Sequence, residues 1–205
     1  MPEGEEMGLL DLITGTKGLR KPKSIRHNGK TLSEILEAHQ NHFIGKPGGM
    51  RADLTGANLR LADLRYANLT GALLERANME GVSLRNAKLS HANLAGANLR
   101  GADLRSTDMT EANLPGADLR EAQASGVEFF RCDLSSVNFR GANLRNANFR
   151  LANIRDAQFA GADMGVSILR ETNLEGVDLS EVDLTTTLLP RGYTPPAQSA
   201  EKKKP

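Results

Sequence analysis

From Leu54 to Leu189 the chain sets a large apolar residue at every fifth position without losing phase. Of 28 consecutive centres in this series, 27 are Leu, Ile, Met or Phe, and the exception is Ala124. Two residues before each centre stands a small residue, from Ala52, Ala57 and Ala62 through Val82 to Thr187. A period of five fits neither regular element. On a helix, successive centres would wander around the whole surface, and on a flat strand they would alternate between faces. Within one beat, however, the centre and the small residue two before it obey a period of two and point to the same side. The chain must therefore turn a corner in every beat, and four corners close a square. The expectation is an all-β solenoid of seven coils, each made of four pentapeptides stacked as parallel strands. At a strand spacing of roughly 4.8 Å, that makes a rod about 34 Å long.

The remaining positions of the beat agree with corners. Ten beats carry Gly two residues after the centre, among them Gly56, Gly71, Gly101 and Gly176, and Asn86 and Asn146 hold the same slot. These residue types accept positive φ in tight turns. The residue just before the centre is mostly Asn or Asp, whose short side chains bond nearby backbone. Inside the square, Leu54, Leu59, Leu64, Leu69 and Leu104 represent the leucine axis. Phe129 and Phe149 should stack on one wall, with Phe139 and Phe159 on the opposite wall. The stretch from Gln123 to Cys132, with an outward Phe130, departs most from the pattern and is the candidate for local distortion or for an exposed contact.

Runs such as Ala52-Asp53-Leu54-Thr55-Gly56 and Ala102-Asp103-Leu104-Arg105-Ser106 resemble the A(D/N)LXX unit of pentapeptide repeat proteins. The resemblance spans about residues 51–190 and implies a right-handed quadrilateral β-helix; periodicity alone does not supply the hand. It also implies one well-defined activity. Some members imitate a DNA duplex and protect DNA gyrase and topoisomerase IV from quinolones or toxins.

Four segments are expected: a flexible stretch over 1–30, a capping helix and turn over 31–50, the β-helix over 51–190, and a disordered basic tail over 191–205. Residues 31–43 place Leu32, Ile35, Leu36, His39 and Phe43 on one helical face, and Thr31 and Glu34 have capping-box spacing. Lying just before the first coil, this helix would cover the open leucine axis.

Chemistry-bearing clusters are sparse. The histidines are His27, His39, His42 and His91. Only His39 and His42 are neighbours, without an evident third metal ligand. The sequence holds no phosphate loop, nucleophile elbow or HExxH motif. No catalytic, cofactor or metal site is expected. Cys132, the single cysteine, falls in a small inward slot and reads as a packed thiol. With no long apolar run and no leader pattern, a cytoplasmic protein that does not enter a membrane is expected.

Residues 20 apart share a face, so the outer side chains can be sorted. Just after the centre, one face carries Arg60, Arg100, Arg120 and Arg140, and the next carries Arg65, Arg85, Arg105 and Arg145. These arginines, with Phe130, are the candidate partner-binding residues. Over residues 51–190 there are 15 Arg and Lys against 18 Asp and Glu. A near-neutral rod with ordered arginine rows and unbroken phase points to a non-catalytic protein-interaction scaffold with an unidentified protein partner. Protection of DNA gyrase is the alternative, and a homodimer stacked end to end is compatible with open coil ends.

Overall fold

The computed structural model describes residues 18–195. Its architecture follows from how each pentapeptide satisfies its own backbone. In the first beat the Leu54 carbonyl accepts a bond from the Ala57 N–H at 3.0 Å. The residue between them, Gly56, has φ of 65°. That combination is a type II turn, and it recurs from corner to corner. The Leu54 and Gly56 N–H groups donate to Leu73 and Glu75 of the next coil, both at 2.8 Å, and the Leu73 N–H returns a bond to Ala52 at 2.9 Å. The fifth donor, Thr55 N–H, is taken by the Asp53 carboxylate at 3.1 Å. In a beat with Asn or Asp before its centre, this scheme gives every peptide donor a partner, as a buried backbone requires, and it repeats through most of the stack. It explains the Asn and Asp preference, and Pro115, which has no N–H to satisfy, sits in the one slot that needs side-chain help.

Positive φ occurs at every corner from Gly56 to Gly176, and 15 of those corners are not glycine. Leu61 (57°), Tyr66 (61°), Glu121 (61°) and even the β-branched Val166 (60°) adopt it. The sequence ties the turn to Gly and Asn; the structure imposes it on whatever residue arrives. A non-glycine residue in this region costs roughly 1–2 kcal/mol, which the bonds of the turn and of the coils on either side offset.

Parallel bridges join residues 20 apart on all four sides, as in Asp53 with Leu73, Asn58 with Asn78, Asp63 with Ser83 and Asn68 with Lys88. They continue to Asn148 with Ile168. The expected distortion between Gln123 and Cys132 does not occur: Gln123 bridges both Asp103 and Asn143, and Glu128 bridges Asp108 and Asn148. The seventh coil is different. Among the described residues, Ile168 with Leu188 is its one bridge to the sixth.

Inside, Leu54, Leu59, Leu64, Leu69 and Leu104 are fully or almost fully buried. Phe129 stacks on Phe149 with ring centroids 5.1 Å apart, and Phe139 on Phe159 at 5.2 Å. Edge contacts between Phe139 and Phe149 (5.9 Å) join the two walls into one aromatic column. Polar residues in the small inward slot share one device, except Ser167, whose buried hydroxyl has no hydrogen-bond partner. Thr107 and Thr187 donate to the carbonyls of Leu84 and Met164, and the Cys132 thiol donates to Met109 at 2.8 Å. Burial pushes that thiol up to about 12, so Cys132 is a packed, unreactive group.

The amino end is more ordered than the sequence suggests. Residues 18–30, assigned there to a flexible stretch, begin with Arg20 paired to Ala62 as an added parallel rung. The Arg20 N–H donates to Leu61 at 2.6 Å, and Asp63 N–H donates to the Arg20 carbonyl at 2.8 Å. A short 3-10 turn at Pro22–Ser24 leads into β1 (Arg26–His27) and β2 (Lys30–Thr31), an antiparallel hairpin. Its turn places Asn28 (48°) and Gly29 (80°) at positive φ, the Asn-Gly signature of a two-residue hairpin. Helix α1 (Leu32–Phe43) starts at a complete capping box between Thr31 and Glu34. Leu32, Ile35 and His39 are buried, the two apolar residues in the same core cluster as the leucine axis, with Leu36 partly buried against it. Phe43, expected on that face, is 50% exposed and touches the edge of His39 at 5.0 Å. The helix is keyed to the first coil by the Ala52 N–H, which donates to His39 Nδ1 at 3.1 Å. At the other end, Leu189 and Tyr193 pack partly buried against the core. Residues 1–17 and 196–205 lie outside the described residues.

Candidate functional site

The two arginine faces arise from the beat itself. A residue just after the centre occupies the first of the two central positions of the type II turn and points outward. Its partner is supplied two residues earlier by the same Asx that caps its N–H. Arg105 Nε donates to Asp103 Oδ1 at 2.8 Å and its terminal nitrogen donates to Oδ2 at 2.7 Å, a two-pronged pair. Arg65 grips Asp63 in the same way at 2.8 Å and 2.8 Å. Arg120 grips Asp118, its closest approach being 2.6 Å. Asp63 and Asp118 are held below the ordinary carboxylate range, first by the bonds from Arg65 and Arg120. At Asp103, burial pushes upward, but the Arg105 side-chain and backbone bonds outweigh it and the result is again lowered.

Other members of the rows reach across coils. Arg60 meets Glu80 at 3.4 Å, Arg100 meets Glu121 at 3.0 Å and Arg145 meets Asp163 at 3.3 Å. Arg85 faces Asp103 at longer range. Arg140 lies in no ion pair among the described residues; its row otherwise reads as alternating charge. The structure therefore brings the eight arginines together as two zwitterionic ladders. Six of these guanidinium groups are oriented by carboxylates in ion pairs, which differs from a bare cationic stripe.

Phe130 is not the exposed contact that the sequence suggests. It is half-buried, with the Arg131 guanidinium 5.0 Å and the Arg150 guanidinium 5.9 Å from its ring centroid. Glu171 holds Arg150 at 2.9 Å, and Glu111 joins Arg131 (3.5 Å) to His91 (3.4 Å). This cluster, on the face of Leu89, Met109 and Phe129, escapes a linear reading because its members come from successive coils. The signal was available in the 20-residue stacking of His91, Glu111 and Arg131.

Grooves flank α1. One of about 480 Å³ is lined by Leu36, Glu37, Gln40 and Tyr66, and one of about 260 Å³ by His27, Lys30, Met50, Arg51 and Asp53. Among the described residues, no group of three His, Cys, Asp or Glu side chains is placed to hold a metal ion. No helix of the described chain is long and apolar enough to cross a membrane.

Comparison with known proteins follows the same repeat. The family model for pentapeptide repeats matches in 8 copies over residues 51–81, 83–121, 97–135 and 128–165. A pentapeptide repeat protein from the thylakoid lumen of Arabidopsis thaliana is 31% identical, covering 50% of this chain and 65% of that one, with a TM-score of 0.25. This chain thus spans just under two thirds of that protein's length. HetL, a pentapeptide repeat protein of Nostoc sp. strain PCC 7120 involved in heterocyst differentiation regulation, is 28% identical over 68% of this chain and 81% of its own, TM-score 0.24. QnrB1, a plasmid-mediated fluoroquinolone resistance protein, is 18% identical over 68% and 80%, TM-score 0.35. A search of curated proteins found no match. With the beat, the corner turns and the family model in agreement over more than half of its length, this chain belongs to the pentapeptide repeat family, and so to the right-handed quadrilateral β-helix fold.

Proposed function

We propose that the chain is a non-catalytic protein-interaction scaffold, whose contact surface is the pair of arginine faces. The observation that carries this reading is the two-pronged fixing of Arg65, Arg105 and Arg120 by Asp63, Asp103 and Asp118. Surface ion pairs of this kind add little to stability. They do hold long side chains in one geometry before a partner arrives, which reduces the ordering cost of binding. Arg140, in no ion pair among the described residues, offers the most available guanidinium on the same surface. We read α1 and its hairpin as the amino-terminal cap of the coil. It buries Leu32 and Ile35 against the axis and supplies Arg20 to the first coil's edge, blocking continued pairing there.

The test is affinity capture from the native host with the wild-type chain and with a variant carrying Arg100, Arg105, Arg120 and Arg140 all changed to Glu. Loss of a captured partner at unchanged circular dichroism supports the surface. Identical capture by both proteins removes it. Protection of DNA gyrase is the competing reading, and the alternating charge of the ladders disfavours it, because imitation of a duplex needs continuous negative charge. A supercoiling assay with a quinolone separates the two: rescue of gyrase at micromolar protein would overturn the scaffold reading in favour of the mimic.

A further inference from the structure

Between the fifth and sixth coils the hydrogen-bond ladder is complete on the sides of Asn153 and Gln158. Leu134 and Phe139 donate to Asn153 and Gln158 at 2.8 Å, and Gln158 returns a bond to Val137 at 2.9 Å. Between the sixth and seventh coils the ladder is broken on particular sides. On the sides carrying Asn173 and Asp178, no backbone bond crosses the seam among the described residues. Ile154, Asp156, Phe159 and Gly161 are left without their ladder acceptors. On the third side, the Val166 N–H turns to the Thr186 hydroxyl at 3.1 Å instead of a carbonyl. On the fourth, pairing is retained at two bonds: Leu169 donates to Leu188 and Leu188 to Ser167, each at 2.8 Å.

Three independent features mark the same seam. The inward alanines of the sixth coil, Ala152, Ala157 and Ala162, are 5–6% exposed, whereas Ala97, Ala117 and Ala142 of earlier coils are 0–1%. Cavities of about 300 Å³, beside Ile154 and Asn173, and about 90 Å³, beside Phe159 and Asp178, lie in the gap. The sequence supplies a cause. All four inward small slots of the seventh coil are β-branched (Thr172, Val177, Val182 and Thr187), where alanine predominates elsewhere. Their extra methyl groups crowd the corners and keep the coil from seating. Residues 172–190 also carry four carboxylates and no Lys or Arg, so the coil repels itself. At its threshold Glu171 pairs with Arg150 at 2.9 Å, beside the side that keeps its ladder.

We propose that the seventh coil is a hinged lid on the carboxy-terminal end of the solenoid. It is fixed along Ile168 and Leu188 and swings open on the sides of Asn173 and Asp178. Closed, Leu174, Leu179 and Leu184 cover the end of the aromatic column; open, the lid uncovers Ile154, Phe159 and the unpaired strand edge of the sixth coil. This differs from fraying, which would proceed from the chain end and release Leu188 first.

Residue-resolved hydrogen exchange on the full chain distinguishes the cases. The amides of Ile154, Asp156, Phe159 and Gly161 should exchange on the order of 100-fold faster than those of Leu134, Ser136, Phe139 and Gly141, as local opening without global unfolding allows. Leu169 and Leu188 should stay as protected as Phe149. Uniform protection across the sixth coil would overturn the lid, and so would a gradient in which Leu188 exchanges fastest. A staple gives a second reading: Gln158→Cys with Asp178→Cys, in a Cys132→Ser background, bridges the open side. Oxidation should slow the fast amides severalfold but not to the fifth-coil rate, because they lack ladder acceptors even when the lid is closed; unchanged exchange with the disulfide formed contradicts a swing at this seam.

Discussion

At a corner, the neighbour one coil away decides what side chain the position tolerates. Gly101 and Gly81 both sit at 63°, but an added Cβ at Gly101 meets nothing within 4 Å, whereas at Gly81 it lies 2.8 Å from Leu61 Cδ2. Gly101→Ala should therefore cost only the left-handed backbone, about 1 kcal/mol by urea denaturation. Gly81→Ala should cost more, and Leu61→Ala should return part of the excess. Equal losses at the two glycines would show that Leu61 yields freely. Cys132 makes a chemical prediction at the same scale. With its thiol pushed up to about 12 and bonded to Met109, it should resist alkylation at neutral pH in the native protein and react promptly once denatured. The sequence made both residues visible as slots in a beat. It could not show that thirteen corner residues other than Gly and Asn would be driven to positive φ, because that conformation is enforced by bonds to residues about 20 positions away.

Helix α1 docks through His39, which is fully buried, accepts the Ala52 N–H at Nδ1 and leaves Nε2 without a hydrogen-bond partner. Burial lowers its affinity for a proton, and neighbouring His42 and Arg51 lower it further, against a smaller opposing contribution from the Thr70 backbone. A histidine depressed in the fold favours the native state fully above its ordinary value of about 6.5. That contribution is lost as pH falls through the lower folded value. Exchange of the Ala52 amide, corrected for its intrinsic pH dependence, should accelerate as the solution is acidified below that ordinary value, and His39→Gln should flatten the response. An unchanged profile in the variant would assign the effect elsewhere. The arginine ladders respond in a lower window. Asp63 and Asp118 are depressed by Arg65 and Arg120, so their contribution exists above the ordinary carboxylate range and fades as pH drops below it. Wild type and Arg120→Gln should converge in stability on acidification. The helix was legible from its capping box and apolar face. Its added rung, Arg20 on Ala62, was not, because two residues of unpatterned sequence carry no periodicity to read.

As a whole, the molecule is a stack in which each coil completes the backbone of its neighbours, so stability is close to one-dimensional. Leu104, fully buried at mid-rod, tests this. Leu104→Asp puts an unpaired charge into the axis, at a cost of several kcal/mol, on the order of what burying an uncompensated polar group exacts. The expected outcome is loss of exchange protection in the middle coils, with the cap end retaining more than the carboxy-terminal end, where pairing is already incomplete. A melt as cooperative and as high as wild type would contradict the stacked-coil architecture. The proposed partner binding by the two arginine faces belongs to this scale as well, since the rows exist only when coils are in register.

The five-residue beat by itself determined the square coil, the inward leucines, the stacked Phe129–Phe149 and Phe139–Phe159 walls and the grouping of arginines on two faces. It could do so because coil geometry depends only on local turns repeated without slip. Three things were decided by the tertiary structure. Asp63, Asp103 and Asp118 convert the arginine faces into alternating-charge ladders; Arg131 and Arg150 cover Phe130; and the crowded, acidic seventh coil pairs with the sixth at Ile168 and Leu188 but not on the sides of Asn173 and Asp178. Each depends on distances between coils and on which side chains reach one another across them. A repeat pattern specifies that coils stack, but the fit of one coil on the next is settled by packing, to which every inserted methyl group and every unpaired charge contributes.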